Sequence, residues 1–145
     1  MTDPEKTARS RVKEFLRTVQ AMHRPGAILY GEDLPATLVF ECMAEGFAGK
    51  RVVHLDCTAR QPTEQVLETL CRSMEPGNVL LVTLTEQAGL EVFRPLEKLL
   101  EDGVLELSSP QGWRTAKPPD DWRMVIHSLP GSFPFDQAVE LRLAL

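Results

Sequence analysis

Apolar and polar positions along the chain alternate between two periods, and the alternation sets out the elements. Val12, Phe15, Leu16, Val19 and Met22 recur at helical spacing, which predicts an amphipathic helix over 4–22 that is stopped by Pro25-Gly26. AILY (27–30) is a short buried strand. Leu38, Val39, Cys42, Met43 and Phe47 then share one helical face, with Pro35 tolerated in the first turn and Gly46 and Gly49 at the exit. RVVHLDC (51–57) is a second strand. Gln61-Pro62 opens a helix striped by Val66, Leu67, Leu70, Cys71 and Met74, and Pro76-Gly77 closes it. NVLLVTL (78–84) is almost continuously apolar, as a central parallel strand covered on both faces must be.

Helical spacing returns in LEVFRPLEKLLE (90–101), where Pro95 either sits in the first turn or kinks the helix. VLEL and WRTA alternate around SSPQG, which predicts a β-hairpin insert over 103–117. WRMVIHSL (122–129) is the next buried strand. VELRLAL (139–145) alternates as a half-exposed edge strand does, although Ala138, Leu141 and Leu145 also permit a helix; the strand is preferred. Strand and helix alternate through the body of the chain, which implies βαβ crossovers. The expected fold is a single α/β domain over 1–145: a three-layer P-loop NTPase-like sandwich with a mostly parallel five-stranded sheet, an N-terminal helical segment (1–26) and the hairpin insert.

Composition narrows the function. The 145 residues, 43% hydrophobic and 26% charged, suit one core. No stretch reaches the roughly 20 apolar residues that span a bilayer, and MTDPEKTARSR lacks the apolar core of a signal peptide, so a cytoplasmic protein without membrane contact is expected. Cys42, Cys57 and Cys71 lack CxxC spacing and lie in apolar patterns, which reads as buried thiols. Residues 1–26 carry six basic against three acidic side chains, a net +3, so with −5 overall the remainder carries −8. That acidic body argues against nucleic acid as a partner. The basic helix reads first as a solvated face.

GAILYGEDLPATLVFECMAE (27–46) is strand, glycine turn and helix, the opening of a phosphate-cradling loop. Such loops read GxxxxGK(S/T), because amides wrap the phosphates, Lys reaches the outer ones and the hydroxyl holds Mg2+. Laid from Gly31, the pattern puts Ala36 on the second Gly, Thr37 on the Lys and Leu38 on the hydroxyl. With one loop residue lost, Thr37 recovers the hydroxyl and Ala36 takes the lysine position. The lysine is missing either way.

The order of parts resembles the large ATPase subdomain of AAA+ proteins, over roughly residues 10–145. The resemblance rests on the glycine loop, LDCT (55–58), the strand ending in Thr85-Glu86, LEVFRPLEKLLEDGVLEL (90–107) and DWRMVIHSLP (121–130). The LEKLLEDG phrase, followed by a hairpin and Trp122-Arg123, is most similar to the dynein, midasin and MoxR branch. The resemblance implies a Walker B Asp-Glu at Thr85-Glu86, where only the Glu position is kept, and a sensor Asn at Leu129, where the polar contact is absent. It also implies a helical lid after Leu145, expected to be missing.

Phosphoryl transfer is catalysed by positioning and charge, with Mg2+ and a Lys bridging the outer phosphates. Without Lys and Asp, Glu86 faces the site alone and repels a nucleotide. The expectation is therefore a non-catalytic pseudo-ATPase that needs no cofactor. Its vestigial site is Gly31, Thr37, Thr85, Glu86 and Leu129. Its expected partner is a protein, either an active AAA+ ring or further copies of itself. Within the hairpin, Leu105, Leu107, Trp113 and Arg114 form a candidate interface, because aromatic residues and Arg are enriched at binding hot spots. A second reading stays open, in which Leu105 and Leu107 cover the sheet and Trp113 packs beneath them. The alternative function is a small cytosolic nucleotide sensor or weak NTPase using the Gly31 loop and Glu86.

Other conspicuous residues have plainer readings. Glu86 is first an exposed loop residue. His54 and Asp56 fall on one face of their strand and Cys57 on the other, so a metal or thiol site there needs a bend. His127 reads as a satisfied core or loop histidine before a general base.

Overall fold

The computed structural model describes residues 4–21, 26–30, 34–58, 61–85, 90–109, 112–128 and 142–144. In chain order the elements are α1 (Pro4–Ala21), β1 (Gly26–Tyr30), α2 (Ala36–Gly46), β2 (Arg51–Cys57), α3 (Thr63–Ser73), β3 (Asn78–Leu84) and α4 (Leu90–Asp102). The hairpin strands β4 (Leu105–Ser109) and β5 (Gly112–Ala116) follow, then β6 (Met124–Ser128) and β7 (Arg142–Ala144). The main sheet has five strands in the order β2-β3-β6-β1-β7. Every pairing within it is parallel. The edge reading of the C-terminal segment holds for Arg142–Ala144, which pairs with Ile28–Tyr30.

Strand alternation divides the apolar side chains between two cores. Val53, Leu55, Leu80, Val82, Leu84, Met124 and Ile126 lie with α3 and α4 on one face. Ala27, Leu29, Val79, Leu81 and Val125 lie with α1 and α2 on the other. The result is helix pair, sheet, helix pair, the three layers that the alternation of periods predicts.

Two details account for the LEDG phrase and the Pro-Gly pair. Gly103 has φ 71, and its N–H reaches the Leu99 carbonyl at 3.0 Å, so this glycine closes α4 in the left-handed conformation that a side chain strains. At Gly26 a Cβ would stand 2.8 Å from the Met124 carbonyl, so β1 can approach β6 at that point only as glycine. Pro95 lies inside α4 beyond its first turn, where it removes one helical hydrogen bond and α4 continues to Asp102.

Trp122 and Arg123, predicted as the start of a strand, lie just ahead of β6 and pin helix ends instead. The Trp122 Nε1–H donates to the Ser73 carbonyl at the end of α3, 2.8 Å away. Arg123 Nε donates to the Val19 carbonyl in the last turn of α1 at 3.1 Å, and its Nη1 donates to the Asp120 and Trp122 carbonyls. The basic helix is also less free than a solvated face: Arg9 pairs with Glu41 at 2.9 Å and Lys13 with Glu45 at 3.0 Å. Both pairs are exposed, so they orient α1 along α2 more than they stabilise it.

Candidate functional site

In a parallel sheet ligands bind beyond the carboxyl ends of the strands, here the ends of β1, β6, β3 and β2. Of the predicted vestigial site, Gly31, Glu86 and Leu129 lie outside the described residues, while Thr37 and Thr85 are placed. Thr37 is exposed in the first turn of α2. Pro35 occupies the N-cap position without a side-chain cap, and its carbonyl accepts from Leu38 and Val39. The Ala36 and Thr37 amides therefore point out of the helix without an intrahelical acceptor.

Thr85 is half-buried just beyond β3, and its hydroxyl donates to the Cys57 carbonyl at 3.1 Å. That bond ties the ends of β3 and β2 together. An ionised Asp at the same place can only accept, and would face the carbonyl with like charge. Lys50 and Arg51 stand at the amino end of β2, the end of the parallel sheet away from the carboxyl ends where ligands bind.

Below Thr85, on the α1/α2 face, lies a polar row that the sequence reading missed as a unit. The register aligns Asp56 with Thr83 and Thr83 with His127. Thr83 and His127 are fully buried. His54 Nε2 lies 2.8 Å from the Thr83 hydroxyl, and the Phe40 ring is tilted over the imidazole with centroids 6.1 Å apart. Burial lowers the His54 pKa, and the Asp56 carboxylate pulls it back only in part. Burial works to raise the Asp56 pKa, but hydrogen bonds from Thr58, one from its amide at 3.0 Å, bring it below the usual carboxylate value with help from His54. Alternate polar residues at 54 and 56 with Thr83 and His127 in neighbouring strands were the available signal. Only the register shows that they meet.

His54 and Asp56 do lie on the face opposite the buried Cys57. Among the described residues no three His, Cys, Asp or Glu side chains come close enough to hold a metal. None of Cys42, Cys57 and Cys71 forms a disulfide, and burial pushes the Cys42 thiol up, which keeps it protonated and unreactive.

The hairpin insert forms over Leu105–Ala116, with Leu107 opposite Arg114 and Ser108 opposite Trp113. Leu105 is fully buried in the core under α3 and α4, which removes it from the candidate interface. Two residues after the turn at Gly103, Leu105 joins Leu96, Leu99 and Leu100 of α4 in that core. The side chains of Leu107, Trp113 and Arg114 lie outside the described residues. Between the end of α4 and the segment that leads into β6, Glu101, Lys117, Pro119 and Asp120 line an open cleft of about 400 Å³.

The solved structures similar to this chain share one fold. NtrX from Brucella abortus in complex with ATP superposes over 91% of this chain with a TM-score of 0.60 at 13% identity, and this chain covers 32% of that one. RuvB from Thermotoga maritima, a Holliday junction branch migration motor, superposes over 97% with a TM-score of 0.58 at 13% identity and 44% of its own length. A RuvB variant reaches a TM-score of 0.64 over 99% of this chain, 46% of its own, at 12% identity. Both proteins are AAA+ ATPases. The chain has the AAA+ P-loop fold. It spans between about a third and a half of those solved chains. No protein-family model and no curated protein sequence matches it. No helix among the described residues is long and apolar enough to cross a membrane.

Proposed function

We propose that this chain is a pseudo-ATPase: a degenerate AAA+ core of the dynein, midasin and MoxR type that has lost hydrolysis and acts in the cytoplasm through protein contacts. The observation that carries this reading is the Thr85 hydroxyl bonded to the Cys57 carbonyl. The residue at the family's metal-binding position serves as a strand tie. Its proton points at a backbone oxygen, and no carboxylate is there to hold the water shell of Mg2+. With Thr37 at the lysine position and exposed, neither cation that phosphoryl transfer requires has a holder at these two positions.

Calorimetry with Mg-ATP tests the reading. Expected are no hydrolysis and a dissociation constant no tighter than about 1 mM, a free energy of about 4 kcal/mol. A micromolar constant overturns it in favour of a nucleotide sensor. That second reading has one observation behind it: the unpaired first-turn amides of α2, with no acidic residue in that turn to compete for them.

The partner is a protein, an active AAA+ ring component or a further copy, and the hairpin with Leu107, Trp113 and Arg114 is the proposed contact. Replacing Ser108 to Arg114 by an Asn-Gly turn, which closes a hairpin unaided, retains Leu105 in the core. The variant is expected to fold and to lose the proteins that co-purify with the parent. Unchanged co-purification by a folded variant makes the hairpin structural.

A further inference from the structure

Consecutive side chains just ahead of β6 each reach a different part of the fold. Asp121 pairs with Lys50, 2.5 Å away, in the link from α2 to β2. The Trp122 indole bonds the Ser73 carbonyl at the end of α3, and the Arg123 guanidinium bonds the Val19 carbonyl in the last turn of α1. Because α1 and α3 lie on opposite faces of the sheet, adjacent residues hold elements that the sheet itself keeps apart. The backbone that carries them has little freedom. The Trp122 N–H donates to the Pro119 carbonyl and the Leu80 N–H to the Arg123 carbonyl, both at 3.0 Å, while Arg123 Nη1 folds back onto the Asp120 and Trp122 carbonyls at 2.8 and 2.7 Å. Pro118 and Pro119 fix φ on the approach. A rotation that withdraws Trp122 from α3 therefore also displaces the Arg123 carbonyl from β3 and the guanidinium from α1. Further side chains tie the helix ends onward: Gln20 Nε2 donates to the Gly46 carbonyl at the end of α2, and Asn78 Nδ2 to the Arg72 carbonyl at 2.9 Å.

We propose that Asp121, Trp122 and Arg123 form a single two-state latch: the ends of α1 and α3 and the start of β2 are released together, in an opening smaller than global unfolding. Groups held by one short segment couple, whereas independent helix ends fray one at a time. The central residues of β3 are laddered to β2 on one side and β6 on the other and stay folded in that opening. One step then loosens the basic helix on one face of the sheet and α3 on the other. The latch stands at the amino ends of the strands and involves neither Thr37 nor Thr85, so it holds or fails separately from the loss of nucleotide binding.

Native-state hydrogen exchange of the full chain in urea below the unfolding transition tests it. The amides in the last turns of α1 (18–21) and α3 (70–73) are expected to share one opening equilibrium and one urea dependence, with the dependence weaker than that of Val82 and Thr83 in β3. Trp122→Phe keeps most of the bulk and loses the bond to Ser73. It is expected to speed exchange about tenfold at both helix ends, including that of α1 on the face opposite the indole. Arg123→Met, at a half-buried side chain, is expected to do the same from the other side and decides the matter if Trp122→Phe unfolds. Unequal urea dependences at the two ends overturn the proposal. So does a substitution that leaves the far helix end unchanged, because each end then opens alone. Helix ends that exchange only together with β3 overturn it too, since no opening short of unfolding is left.

Discussion

Trp122→Ala is expected to destabilise the protein by about 3 to 5 kcal/mol, measured as the fall in unfolding free energy in urea. Trp122 heads the fully buried side chains by volume and packs into the core shared by α3, α4 and the sheet. Its removal opens a cavity and also strips the Ser73 carbonyl of its donor, at a residue with no exposed surface. A single domain holds roughly 5 to 15 kcal/mol in all, so this one change takes a large fraction of it. Trp122→Phe separates the two contributions: it keeps most of the burial and loses the hydrogen bond, for a cost of about 1 to 3 kcal/mol. If Trp122→Ala costs less than about 1 kcal/mol, the residue does not anchor α3 and the account of the aromatic-Arg pair is wrong.

Leu81→Ala is expected to cost about 2 to 5 kcal/mol. Leu81 is central in β3, flanked in register by His54 and Val125, with α1 and α2 packed over it and no exposed surface. The sheet on which it stands cannot collapse to fill the space, because its strands are held on both sides by the ladder. The exposed Thr37→Ala is the control and should stay within about 0.5 kcal/mol. A Leu81→Ala protein as stable as that control would mean that this sheet face is not the core described.

Much of this was legible in the chain itself, because period is a local property. Residues 51–57 and 78–84 are strands with the predicted bounds, and the apolar stripe of residues 12–19 is the buried face of α1. His54 and Asp56 fell opposite Cys57 as alternation requires. Pro95 was left open by the sequence, since both of its readings satisfy the same local pattern, and the helix that surrounds it decided. The hairpin was legible as a hairpin from its turn residues. The role of Leu105 was not, because a leucine in an alternating strand serves a core and an interface equally well until α4 is packed against it.

The sequence by itself determined the alternation of strand and helix, the two-sided burial of β3 and the absence of a lysine from residues 31–38. Each follows from residue type and spacing along a single segment. Only the tertiary structure decided the strand order, the meeting of His54 with Thr83, the Thr85 tie to Cys57, and the capping of α1 and α3 by Arg123 and Trp122. Those contacts join residues from 28 to 104 positions apart or depend on which strands lie side by side. Hydrogen bonds of 2.8 to 3.1 Å are set by the register of neighbouring strands and the docking of helix ends, which no local period encodes.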